Sequence, residues 1–168
     1  MHGRTYIKGP WVTSNGFEVK VGEELKPVVN QYGFVAEGAM NPAFMKVAKV
    51  PLKPGGVDSY AFAWQNPEDT AVLVHRVIVD VTKAGGTASS ELDVGVVSGP
   101  ESTADNIIDG LNINSTKVCD HLLVSGDGQG GVHKVDEKGG SNDYITGKIL
   151  EAKAEQLEGN AYIFYTAV

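Results

Sequence analysis

The stretch SGDGQGG, Ser125 to Gly131, holds Gly126-x-Gly128-x-x-Gly131, the glycine spacing with which dinucleotide-binding proteins cradle a pyrophosphate. That chemistry needs a strand ahead of the first glycine and a helix opening at the last, because the helix amino-terminus holds the negative charge. HLLVS supplies a candidate strand, and Glu151 stands about 20 residues on, where the ribose-binding acid belongs. The helix is missing: VHKVDEKGGSND is short, β-like and broken by glycines. The segment therefore reads as a surface loop, and no cofactor is expected. TGKI at 146–149 is no phosphate loop either, since it lacks both the earlier glycine and the following Ser or Thr.

Cys119 and His121 stand two apart, on one face of any strand that contains them, in the arrangement of a nucleophile and its base. A working pair needs a lowered thiol pKa and a third group to orient the imidazole. The sequence supplies neither, so Cys119 reads as a small hydrophobe. As the only cysteine it also excludes an intrachain disulfide and a Cys-rich zinc site. His2, His75, His121 and His133 lack metal-ligand spacing, and His75 reads as a hydrogen-bonded core or interface histidine. Asp105, Asp109, Asp120, Asp127, Asp136, Glu137 and Asp143 sit in or beside turns. Calcium favours such oxygen-rich loops, yet no D-x-D-x-D-G sequence occurs, and a solvated acidic rim is the competing reading. No catalytic or metal-ligating residue is assigned, and the chain is not expected to be an enzyme. NST at 114–116 fits the glycosylation sequon but carries no weight without a secretion signal.

The elements that hold these residues read as β structure. SYAFAWQ alternates Tyr60, Phe62 and Trp64 with small residues, and NPED after it carries the turn chemistry of a hairpin. AVLVHRVIVDVTK is the strongest strand. Strict alternation puts Leu73, His75, Val77, Val79 and Val81 on one face and Val72, Val74, Arg76 and Ile78 on the other, a central strand buried on both sides in its first half. SSELDVGVVS turns Leu92, Val94 and Val96 inward; NIIDGLNIN, KVCDHLLVS, YITGKIL and AYIFYTAV follow. The last puts Ala161, Ile163 and Tyr165 on one face. About eight strands with turns between them predict an all-β antiparallel sandwich or jelly roll over residues 43–168. Residues 1–42 place Gly or Pro every few positions, with FEVKV the one clear strand-like run, and predict an extended arm. Its aromatics Tyr6, Trp11, Phe17, Tyr32 and Phe34 are too many for a disordered tail.

Across 168 residues the net charge is -7, which argues against nucleic-acid binding. Residues 1–53 nevertheless hold seven Lys/Arg against four acids, so the arm side reads as positive. The start MHGRTYIKGPW lacks the apolar core of a signal peptide, and no apolar run reaches the roughly 18 residues of a membrane span. A soluble chain made without secretion, and no membrane partner, are expected.

FAWQNPEDTAVLVHRVIVDVTKAGGTASSELDVGVV, DNIIDGLNINS and the closing GNAYIFYTAV resemble small proteins encoded among the capsid genes of tailed bacteriophages and prophages. The resemblance covers about residues 60–115 and 159–168. It implies a jelly-roll-like capsid decoration (cement) or head-fibre protein on the virion exterior, made in the host cytoplasm, with the major capsid protein as partner. Tyr6, Trp11, Phe17, Tyr32 and Phe34 are then the expected anchors, since aromatics dominate interface cores. Proteins of this class sit on symmetry axes, which implies a homo-oligomer with a trimer favoured. The alternative is a carbohydrate- or host-surface-binding module of a phage fibre, using the loops Asp105–Asp109 and Gly126–Gly131.

Overall fold

The computed structural model describes residues 45–86, 89–123 and 131–168 in full, and before them the backbone of residues 12–13, 16–21, 24–30 and 33–34. Two compact units divide between residues 44 and 45. In the first, strands β1 (Val12–Thr13), β2 (Gly16–Val21), β3 (Glu24–Asn30) and β4 (Gly33–Phe34) pair antiparallel in chain order. FEVKV lies within β2, as its alternation suggests. The segment expected as an extended arm thus carries a four-stranded meander. Its positive charge also needs correction. Lys46, Lys49 and Lys53 belong to the second unit, and residues 1–44 hold four Lys/Arg against four acids.

The second unit is an antiparallel sandwich, with nine strands among the described residues. They are β5 (Lys46–Pro51), β6 (Tyr60–Gln65), β7 (Val72–Lys83), β8 (Glu91–Val97), β9 (Ile108–Asn112), β10 (Lys117–Asp120), β11 (His133–Val135), β12 (Tyr144–Leu150) and β13 (Glu158–Ala167). The first sheet runs β10-β7-β13-β5, with β11 also paired to β7; the second runs β6-β12-β8-β9. Among the described residues the one helical element is a 3-10 turn, His121–Leu123, so no helix is long and apolar enough to cross a membrane.

Alternation fills the space between the sheets. Phe62 and Trp64 of β6, Leu92 and Val94 of β8, Ile145 and Ile149 of β12, and Ala161, Ile163 and Tyr165 of β13 all enter one apolar core. Trp64 and Tyr165 meet across the sheets, ring centres 5.1 Å apart and planes tilted by 52°. Phe62 lies opposite Gly147, whose missing side chain makes room for the ring.

Two local readings are corrected. β7 is central, as expected, but it does not keep one alternation along its length. Phe164 pairs with Arg76 and Tyr165 with Val74, leaving His75 as the extra residue of a bulge. The bulge shifts the phase by one residue, so Val72 and Val74 before it and Val77, Val79 and Val81 after it all face the core. Nor does NPED form a hairpin: β6 pairs with β12 and β7 with β13, so the turn carries the chain from one sheet to the other. Asn66 explains this. Fully buried, it accepts from the Glu68 N–H (3.0 Å) and donates through Nδ2 to the carbonyls of Thr70 (3.0 Å) and Asp136 (2.8 Å). Its own N–H reaches the Asp143 carbonyl (2.8 Å). A side chain that ties its own turn to the distant Asp136 builds a corner between layers rather than a tight strand reversal.

Candidate functional site

Three groups of chemistry-bearing residues emerge, none from a single run of sequence. The first lies on the outer face of the second sheet. Asp93 of β8, Asp109 of β9 and Asp105 of the intervening loop bring carboxylate oxygens within 4.8 Å of one another. That loop is folded back on the sheet: Thr146 Oγ1 donates to the Ser102 carbonyl (2.8 Å), the Ile107 N–H to the Val94 carbonyl (3.0 Å) and the Val96 N–H to Asn106 Oδ1 (2.9 Å). Gly95 is pressed under Ala104, leaving no room for a Cβ. Burial pushes the Asp93 carboxyl above its usual range; the Gly110 N–H (2.9 Å) opposes this, while the charges of Asp109 and Asp105 add to it. An oxygen-rich cluster of this kind has the chemistry for a hard cation. Sequence reasoning picked out Asp105 and Asp109 but missed Asp93, because a strand, a loop and a second strand supply the three and no linear calcium motif results.

The second group surrounds His121. The residue leaves β10 for the 3-10 turn and is fully buried. Its Nδ1 accepts from the Val77 N–H (2.9 Å), which fixes the proton on Nε2 for donation to the Gly131 carbonyl (3.1 Å). β10 pairs with β7 from Ile78 onward and β11 with β7 up to Val74, so the imidazole bridges the gap between the two ladders. Both ring nitrogens are occupied by backbone, which leaves neither for Cys119. That thiol is buried against the core and pushed up by burial. The two residues expected on one strand face are therefore not assembled as nucleophile and base. The glycines from Gly126 to Gly130 lie outside the described residues.

The third group is a polar groove of about 370 Å³ lined by Val96, Asn106, His133, Lys134, Asp136 and Asn142. Lys134 pairs with Asp136 at 3.1 Å, and Asp136 also accepts from the Asn142 N–H. At its rear, Asp143 secures the turn. Burial resists its ionisation, but donation from Gln65 Nε2 (2.7 Å), the Gly139 N–H (2.8 Å) and its own N–H prevails and holds the carboxyl below its usual range.

Of the expected anchors, Tyr6, Trp11 and Tyr32 lie outside the described residues. Phe17 and Phe34 stand in one cross-strand row. Val12 pairs with Phe17, Phe17 with Val29 and Val29 with Phe34, so four apolar residues from four strands occupy one face of the meander at one level. Val19, opposite Lys26, and Val21, opposite Glu24, continue that face.

Comparison with protein-family models, curated proteins and solved structures finds no match to this chain.

Proposed function

We propose that this chain is a structural virion protein that decorates and stabilises a tailed-phage capsid by binding the major capsid protein through its first unit. The reading is non-enzymatic and needs no cofactor. It places the chain, as a homo-oligomer, on the capsid exterior. The observation that carries it is the row Val12, Phe17, Val29 and Phe34: a short meander that gathers apolar and aromatic positions on one face is the form of an anchoring surface. The acidic outer face of the second sheet, with Asp93, Asp105 and Asp109, suits the solvent side of such a protein.

The test is co-sedimentation of the full chain with purified capsids that lack it. Wild type should pellet with capsids, and Phe17→Ser combined with Phe34→Ser should weaken that binding at least about tenfold. Unchanged binding would remove the anchoring role from this face. Undecorated heads in electron micrographs of the mature particle would overturn the capsid assignment itself.

The groove between Asn106 and Asn142 favours one other reading, a carbohydrate-binding fibre module, because amide, carboxylate and ammonium groups converge there as hydroxyl-rich ligands require. Silence on a glycan array with full chain would discard it.

A further inference from the structure

We infer that the outer face of the first sheet is the contact between two copies of this chain, related by a two-fold axis parallel to the strands. The inner face of that sheet meets the core, and on the opposite face the described residues of this unit supply no third layer of strands. What they supply there is three cross-strand rows. Val47, Phe164 and Arg76 form the first; Lys49, Tyr162, Ile78 and Asp120 the second; Pro51, Asn160, Asp80 and Val118 the third.

The rows are self-complementary. An axis running between β13 and β7 turns each row over onto its own copy with the ends exchanged. In the central row Lys49 then meets Asp120 of the second copy at both ends, and Tyr162 meets Ile78 in the middle. In the first row Phe164 faces Arg76, a cation over an aromatic ring. In the third Asn160 faces Asp80 and Pro51 faces Val118. Every position of the second and third rows finds a partner of fitting chemistry, as do Phe164 and Arg76 in the first, and no like charges are opposed; Val47, at the edge, lies beyond the matched positions. An axis perpendicular to the strands and through the central row would instead stack Lys49 on Lys49. The exposed flanks agree: Val47 is 52% and Val118 68% accessible, large apolar side chains at the two edges of one face. Lys49 already leans over the Tyr162 ring (5.8 Å), and Arg76 is ion-paired with Asp120, so these side chains are held in place before contact.

Four strands about 4.8 Å apart and about five residues long make a flat patch of roughly 300 Å² per copy. A standard interface uses about 800 Å² per partner, so the dimer is weak and concentration-dependent. This contact is independent of capsid attachment and differs from the trimer that the resemblance implies.

Sedimentation equilibrium of the full chain from about 1 to 500 µM tests it. The expected result is a reversible monomer–dimer equilibrium. Ile78→Lys, which buries a charge at the centre, should weaken it at least about tenfold. Lys49→Glu, at an exposed position that cannot disturb the core, should weaken it about threefold to fivefold by opposing two acids, while Lys49→Arg preserves it. Thermal melts establish that each variant is folded. A monomer at the highest concentration, a trimer, or a dimer indifferent to both Ile78→Lys and Lys49→Glu would overturn the inference.

Discussion

Replacing Asn66 by Ala tests the corner that joins the two sheets. The side chain is fully buried and makes three hydrogen bonds, from the Glu68 N–H and to the carbonyls of Thr70 and Asp136. Truncation leaves all three backbone groups without that partner at a site with little access for water. A net loss of about 1 kcal/mol for each gives about 3 kcal/mol. Unfolding entropy scales with chain length, and for a unit of this size 1 kcal/mol corresponds to about 4 °C in Tm, so the expected fall is about 12 °C. Asn66→Asp should be worse at neutral pH, because it keeps the acceptor for Glu68 but turns a carboxylate oxygen toward two carbonyls. The assay is thermal unfolding of both variants beside wild type, followed by circular dichroism. Under a hairpin reading of NPED, Asn66 is a replaceable turn residue worth well under 1 kcal/mol. A fall of less than about 3 °C for Asn66→Ala would therefore refute the argument for an inter-sheet corner.

Gly147→Ala should cost about 1–3 kcal/mol in a urea melt, since the new Cβ would press into the buried Phe62 ring. Asp143 has a folded pKa below its unfolded value, so its contribution is present above the ordinary carboxyl range and is lost as pH falls through the folded value. The stability gap between wild type and Asp143→Asn should accordingly shrink in melts taken from about pH 6 down to about pH 2; a constant gap would count against the carboxylate's role. Asp93 has a folded pKa above its unfolded value, so its ionised form destabilises the fold as pH rises. Asp93→Asn keeps an acceptor for the Gly110 N–H and should raise stability at pH 7 by a few tenths of a kcal/mol, less at high salt.

Much of the sandwich is legible because its strands obey period-two alternation over a buried face. Phe62 and Trp64, Leu92 and Val94, and Ala161, Ile163 and Tyr165 face inward as their spacing requires, and the long valine-rich strand occupies the centre of its sheet. The candidate sites were less legible. Asp93 alternates outward like any solvated strand residue, and its meeting with Asp105 and Asp109 depends on a loop folding back over Gly95. His121, read as a strand residue, leaves the strand to fill a gap between two ladders that exists only once β10 and β11 have both paired with β7.

The all-β antiparallel sandwich and most of its core are written in local alternation, which follows from the pleat and from hydrophobic burial. Which strand each strand pairs with follows from long-range packing. That packing also places the bulge at His75 that brings five valines to one side, sets the direction of the turn at Asn66, and assembles the acidic cluster and the polar groove. Those depend on hydrogen bonds and contacts between residues far apart in the chain, whose partners no local pattern names.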